Sequence, residues 1–402
     1  MSILIYIPYP TNEGYAINQL ESAFFEMSRR VFSNDNQIHF LYRNLSGGFP
    51  KFLPPAFSNV ISIDDQLCSS RLGQISSYIK QNSISILFGL DLPVKHLFYK
   101  PLRRAGLKLI ISYWGAPMSD FSPAYILFLK KLQVFLSPSM PDHFIFESKS
   151  MAKSATCGRG INPSRISIVK LGVDPQKYSP QYKSSYIYRI FNIPSNRKVI
   201  IYSGHMEERK GVDVIIRAAA YMVNQLHRYD IHFLIAGNKN GEECRFYHLY
   251  QNSNAVDHIT FAGYRDDLSR IFPCCYAGVI ASTGWDSFTV SSLEMASSGL
   301  PLVVSNLQGL SESIEADVTG FLFNTGDHLD LVSKLILLLD NPNLHNSMSK
   351  AARERILHNF SFEQQIVNLS NTLKTVISRK IRSKTDADKL LTSSRIPICQ
   401  KA

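Results

Sequence analysis

A chain of 402 residues, 45% of them hydrophobic, is too long for one ordinary core and predicts two globular domains rather than a disordered or fibrous protein. No run of eighteen apolar residues occurs, and the start MSILIYIPYP lacks the basic opening of a signal peptide, so a cytoplasmic location is expected. The net charge of +11 suits an anionic partner, a nucleotide or an acidic membrane surface, although solubility explains charge alone more simply. Zinc spacing, a basic helix and a basic stripe interleaved with aromatics are all missing, which sets nucleic acid aside. The six cysteines, Cys68, Cys157, Cys244, Cys274, Cys275 and Cys399, have no metal-ligand spacing and are expected as reduced thiols.

The first strand, ILIYIP, gives way to a loop carrying Gly14 and then to an amphipathic helix. Strands follow at QIHFLYR, ISILFGL and LKLIISYW, and strands alternating with helices imply a parallel sheet covered on both faces. The segment GAPMSD after the last of these places Trp114, Gly115 and Asp120 at the crevice where such sheets bind ligands. Trp114 reads either as a stacking platform or as a packing residue. A strand through Phe146, a helix from near Ser148, the strand RISIVKLG and a loop at Gly172 and Asp174 complete the half. The Pro- and Ser-containing segment at about residues 175 to 187 reads as the linker.

KVIIYSG, the loop HMEERKG and the helix VDVIIRAAAYMVNQL restart the pattern. Arg209 and Lys210 stand before that helix, where the macrodipole disfavours cations, so an anion is expected between them and the helix end. Strands IHFLIAG, HITFAGY, AGVIAS, PLVVSN and GFLF make a second doubly wound domain, with ligand loops at 204–211, 237–241, 263–267 and 282–288. The last loop leads from Asp286 to a short helix beginning near Val290 that carries Glu294. Glu294 lies among Leu293, Met295 and Ala296 and is expected half buried, with ribose hydroxyls as fitting partners for its carboxylate. LDLVSKLILLLDNP reads as a surface helix and HNFSFEQQIVNLSNTLKTVISRK as the final one. The expected division is an N-terminal domain over 1–180, a C-terminal domain over 181–365, a helix over 366–378 and a basic flexible tail over 379–402.

Three segments, SGHMEERKGVDVIIRA, FAGYRDDLSRIFPCCYAGVIAS and GWDSFTVSSLEMASSGLPLVVSNLQGLSESIEADVTGFLF, occur in an order that resembles the family 4 glycosyltransferases. The resemblance covers most of residues 1 to 375 and is strongest from Lys198 to Phe323. It implies a retaining enzyme of the GT-B fold, two Rossmann-like α/β domains facing across a cleft, with the acceptor on the first and the nucleotide sugar on the second. By motif position Lys210 resembles the lysine on the donor diphosphate, Glu294 the glutamate on the ribose, and Asp286 the carboxylate on the donor sugar. The resemblance also puts Gly14, Gly204, His205, Arg209, Phe288 and the backbone N–H groups of Thr289 and Val290 in the donor site, and Trp114 on the acceptor side.

Four positions depart from the family pattern: His205 replaces an arginine, Asp286 a glutamate, Thr289 a glycine and Trp114 a histidine. The implied activity moves a sugar from a nucleoside diphosphate to an acceptor hydroxyl in polysaccharide or glycolipid assembly. It needs no cofactor or metal, takes a carbohydrate or lipid-linked acceptor, and is compatible with peripheral contact at the inner face of a membrane. A noncatalytic nucleotide-sugar-binding subunit is the alternative, and a sugar-nucleotide epimerase a lesser rival. An oxidoreductase needs a glycine fingerprint that PYPTNEGYA does not supply.

Overall fold

The computed structural model describes residues 1–63, 71–118, 123–137, 139–182, 184–239 and 241–393, with side chains through Arg382. Asp120, Cys68 and Cys399 lie outside the described residues. Cys157, Cys244, Cys274 and Cys275 are free thiols. Among the described residues no helix is long and apolar enough to cross a membrane.

The first domain is a seven-stranded, all-parallel sheet ordered β3-β2-β1-β4-β5-β6-β7. Its strands are β1 (Ser2–Pro10), β2 (Ile38–Asn44), β3 (Val60–Ser62), β4 (Ile84–Leu90), β5 (Leu109–Trp114), β6 (His143–Phe146) and β7 (Ile166–Ile168). The helices between them are α1 (Tyr15–Val31), α2 (Leu72–Gln81), α3 (Tyr99–Ala105), α4 (Ala124–Phe135) and α5 (Lys149–Lys153). β1 and β4 are buried almost throughout, the near-continuous apolar run that two covered faces require. The three-residue edge strand β3 is too short to show a period and is not foreseen.

After α6 (Tyr186–Ile190) the second domain is a six-stranded, all-parallel sheet ordered β10-β9-β8-β11-β12-β13. It is built from β8 (Lys198–Ser203), β9 (Ile231–Ala236), β10 (Ile259–Gly263), β11 (Ala277–Ile280), β12 (Leu302–Ser305) and β13 (Gly320–Phe323). Its helices are α7 (Val212–Asn224), α8 (Leu268–Ile271), α9 (Val290–Ser297), α10 (His328–Asp340) and α11 (Pro342–Asn359). Strand order reverses between β1 and β4 in the first sheet and between β8 and β11 in the second, and the crevices at these two switch points are where ligands fit.

α11 is a helix that the sequence pattern does not separate from its neighbours. Pro342 sits in its first turn, where a missing N–H costs nothing, and only Met348, Ala352 and Ile356 are buried, a stripe too narrow to stand out. The final helix, α12 (Phe362–Ser393), extends past Ser378, the end expected for it. It packs on α1, with Arg30 and Glu363 paired at 2.7 Å. The chain crosses between domains twice at one place: Val173 N donates to Phe360 O and Phe362 N to Val173 O, both at 2.8 Å.

Candidate active site

At the β8/β11 switch point the loop after β8 makes a short turn, Glu208–Lys210, and ends at Gly211 in the left-handed region, φ +65°. A Cβ on Gly211 would run into the carbonyl of Ala281, so glycine alone lets this loop lie against the end of β11. Arg209 O accepts from Thr283 N at 2.8 Å and from Gly284 N at 3.2 Å, stitching the two loops together. That close approach sets the distance between Lys210 and Asp286.

Lys210 Nζ donates to Asp286 Oδ2 at 2.8 Å. Asp286 is 4% exposed and also accepts from Ser282 Oγ at 2.5 Å and from Ser287 N at 2.9 Å. Arg209 pairs with Glu207 at 2.6 Å, donates to Trp285 O at 3.1 Å and lies over the Trp285 ring. The two cations expected to await an anion thus carry carboxylate partners already, Glu207 from the same loop for Arg209 and Asp286 from the loop after β11 for Lys210. A lysine this sheltered needs a counter-charge, and an arriving phosphate would have to share or replace Asp286. His205 is exposed, while its carbonyl accepts from Tyr202 OH at 2.7 Å, and Gly204 packs over that hydroxyl.

α9 is capped by Thr289, whose hydroxyl accepts from Ser292 N at 3.3 Å. The threonine in place of glycine therefore caps the helix with its side chain, and the N–H groups of Val290 and Ser291 remain as the orphan donors of the first turn. Phe288 is buried and stacks on Phe360 with centroids 5.3 Å apart, so only its backbone is placed to meet a ligand. Glu294 is only 2% exposed, not half buried as expected, because α9 is covered by α11 and by the segment around Tyr178. Burial pushes its carboxyl up to about 7 against the lowering pull of the Tyr178 and Tyr15 hydroxyls and Lys177. Its Oε1 has no hydrogen-bond partner among the described residues.

The first domain contributes its own strand ends. Gly14 caps α1 with open space where a Cβ would stand, and the next residue, Tyr15, brings its hydroxyl 3.4 Å from that of Tyr178. Trp114 ends β5 half buried, its indole Nε1 enclosed and without a partner among the described residues. Asp91 follows β4 at φ 50°, accepts from Gly115 N at 3.3 Å, and is raised to about 6 by burial.

Glu147 follows β6 and is 3% exposed. It accepts from Tyr113 OH at 3.2 Å and, across the cleft, from Ser287 Oγ at 2.7 Å. Burial raises it to about 7, the two hydroxyls lower it, and the charges of Asp91 and Asp286 raise it further. A second bridge runs beside the first: Glu312 of the second domain accepts from Lys149 N at 3.1 Å and Ser150 N at 2.8 Å at the start of α5. Glycine at 309 keeps the path clear, since a Cβ there would stand 2.8 Å from Ser148 Oγ.

Of the residues singled out from sequence, Lys210, Asp286, Thr289, Val290 and Glu294 gather at one sheet edge, with Gly14 brought opposite through Tyr15. Glu147, Asp91, Tyr15, Tyr178 and Glu312 were not singled out. The rule that ligands meet strand carboxyl ends would have flagged Asp91 and Glu147, each the first charged residue after an apolar strand. Among the described residues no group of three or more His, Cys, Asp or Glu side chains is arranged to hold a metal ion.

The family model described as Glycosyl transferases group 1 matches residues 187–355, the domain that carries Lys210, Asp286 and Glu294. Residues 187–355 thus match the group 1 glycosyltransferase family. The chain is 25% identical over 221 residues to the UDP-Gal:alpha-D-GlcNAc-diphosphoundecaprenol alpha-1,3-galactosyltransferase of Escherichia coli, covering 55% of the chain and 57% of that protein. It is 20% identical over 354 residues to the N-acetyl-alpha-D-glucosaminyl L-malate synthase of Bacillus anthracis, covering 84% of the chain and 89% of that protein. The chain thus spans little more than half the length of the first of these relatives. Anabaena Alr3699/HepE, solved in complex with UDP, superposes with a TM-score of 0.75 over 93% of the chain and 100% of its own, at 15% identity. At that identity the likeness carries the fold, and the two facing Rossmann-like domains are those of GT-B proteins.

Proposed function

We propose that this chain is a group 1 glycosyltransferase that moves a sugar from a nucleoside diphosphate donor to an acceptor hydroxyl with retention at the anomeric carbon. The observation that carries the reading is Glu294. A carboxylate buried at a sheet switch point with an oxygen lacking a donor among the described residues is matched by a vicinal diol, which offers two hydroxyl donors to its two oxygens. The orphan N–H groups at the start of the same helix suit the distal phosphate, and Lys210 stands beside them at the adjoining loop. The likeness to a protein solved with UDP, and to a UDP-galactose-dependent relative, supports a nucleotide sugar as the donor.

In the transfer the bond from the anomeric carbon to the diphosphate oxygen breaks as the bond from the acceptor oxygen forms on the same face. The acceptor proton passes to the leaving phosphate. Negative charge grows on the diphosphate, and Lys210 with the α9 N-terminus stabilises it where it develops. Lys210 can turn from Asp286 towards phosphate because Ser282 Oγ and Ser287 N still hold that carboxylate. No metal or cofactor enters this scheme. On the acceptor side the enclosed Trp114 N–H, Asp91 and Glu147 supply the polar groups for a carbohydrate or lipid-linked hydroxyl.

Thermal shift of the purified chain with UDP, GDP and their sugar conjugates tests the reading, since a ligand held by the folded state alone raises Tm. A rise with one nucleotide sugar, lost in Glu294→Ala, is the expected result. Indifference to every donor overturns it, and binding without transfer to any acceptor would make the chain a noncatalytic binding subunit.

A further inference from the structure

The donor loops expose a tryptophan that the fold does not need for packing. Trp285 stands between Gly284 and the buried Asp286, is 38% exposed and, among the described residues, joins none of the apolar core clusters. A single exposed apolar side chain calls for no explanation by itself. This one, however, is held in place. The Arg209 guanidinium lies 4.2 Å from the centre of the indole ring and donates to the Trp285 carbonyl at 3.1 Å, while Glu207 holds the same guanidinium through Nε at 2.6 Å. Arg209 O also accepts from Thr283 N and Gly284 N, so the backbone leading into Trp285 is fixed as well. Ring and carbonyl are thus set before any ligand arrives, the preorganisation that a binding surface uses and an idle surface residue does not.

Position and chemistry together identify what such a ring receives. With the ribose at Glu294 and the diphosphate between the start of α9 and Lys210, the donor sugar extends towards Asp286. Asp286 turns inward onto Lys210 and Ser282, whereas Ser287 reaches across the cleft to Glu147. Trp285 adjoins this stretch at the sugar end of the site, away from the ribose and base. A pyranose ring presents C–H groups on one face and hydroxyls round its edge. The negative face of an indole attracts such C–H groups, and the carboxylates of Asp286 and Glu147 accept from hydroxyls. A nucleobase would stack as well, but it belongs beyond Glu294. A cationic ligand would meet the charge of Arg209 already on the ring.

We propose that Trp285, backed by Arg209, is a stacking platform for the apolar face of a pyranose ring, the transferred sugar or the acceptor residue that it joins. The platform deepens the proposed transfer and rests on it, because that reading defines which end of the site holds the sugar.

The chain has two tryptophans, Trp114 and Trp285, so their emission reports on the site directly. Emission and isothermal titration are read on the wild type, Trp285→Phe and Trp285→Leu. The probes are UDP, GDP, UDP-glucose, UDP-galactose and GDP-mannose, and then the methyl pyranosides of glucose, galactose and N-acetylglucosamine added to the nucleotide complex. The bare nucleotide should bind all three proteins alike. One nucleotide sugar, or one methyl pyranoside, should change the wild-type emission and bind Trp285→Leu about tenfold more weakly, with Trp285→Phe restoring most of the loss. Leucine keeps apolar bulk without the aromatic face, so a plain packing role predicts that it does no worse than phenylalanine. An effect on the nucleotide sugar puts the transferred sugar on the ring, and an effect on the methyl pyranoside puts the acceptor there. Sugar ligands that leave the wild-type emission unchanged, or that bind Trp285→Leu as tightly as the wild type, overturn the platform. So does a Trp285→Leu variant that weakens the bare nucleotide by the same factor, since the ring would then hold the loop or meet the nucleotide. A wild type that binds neither UDP nor GDP removes the donor reading and the platform with it, whereas nucleotide binding without any effect at Trp285 removes the platform alone.

Discussion

Lys210 and Asp286 show what a single residue's partners change. From sequence alone, alanine at 210 should remove a phosphate contact and spare the fold, but the structure couples the lysine to an aspartate 4% exposed. Removing one member leaves the other as an unpaired charge away from water, so Lys210→Ala should cost about 3 kcal/mol of stability as well as transfer. Lys210→Ala combined with Asp286→Asn should recover most of the stability and none of the transfer, read by denaturant melts beside the transfer assay. A fully stable single variant would show the pair to be unimportant to the fold. The pairing was not legible because the partners are 76 positions apart and meet only through the close approach at Gly211. Glu294 was legible by motif, while its depth was not, since the elements that cover it, α11 and the Tyr178 segment, left little trace in the pattern.

The same burial gives a pH dependence. Glu294 and Glu147 are each raised from 4.5 to about 7 in the folded protein, so between those values the folded state binds more protons than the unfolded one. Their contribution to stability is therefore present below the unfolded value and lost as pH rises through about 7. Tm of the free protein should fall from about pH 5 to about pH 8, and Glu294→Gln with Glu147→Gln should flatten that slope. Nucleotide affinity runs the other way, because a diol donates to the ionised carboxylate: it should improve as pH passes upward through about 7, and Glu294→Gln should lose the step. Isothermal titration with UDP across this range, on wild type and variant, reads the difference, and a step retained in the variant assigns it to another group.

At the scale of elements, the doubly wound pattern was readable because buried parallel strands write continuous apolar runs, as in β4 and β5. β3 and α11 were not, one for its three residues and the other for its narrow buried stripe. The loop before α7 depends on one conformation. Gly211→Ala must hold φ +65° and push against the Ala281 carbonyl, so it should cost about 1–3 kcal/mol or more and move Lys210 away from α9. Weakened nucleotide binding with the pH step of Glu294 preserved would place the damage in the phosphate loop. Unchanged stability would mean that the loop can shift without strain. α4 was not read from the sequence, and which of its sides faces water is decided by the elements that pack on it.

For the whole molecule the question is what holds the two domains at this separation. Both chain crossings lie together at Val173 and Phe360 to Phe362, which leaves a compact hinge on one side of the cleft. On the other side the domains meet through Ser287 donating to Glu147 and through Glu312 capping the start of α5. The first bridge is one hydrogen bond to a carboxylate and the second is two, each bond worth about 1.5–3 kcal/mol, enough to bias a two-state opening without locking it. Ser287→Ala and Glu312→Ala should each increase the radius of gyration of the free protein in solution scattering, and the two together should increase it further. UDP should restore the smaller radius in the single variants, because a ligand spanning Glu294 and the Tyr15 side favours the closed form. If the double variant scatters like the wild type, closure is set by the packing of α12 on α1 rather than by the two carboxylates.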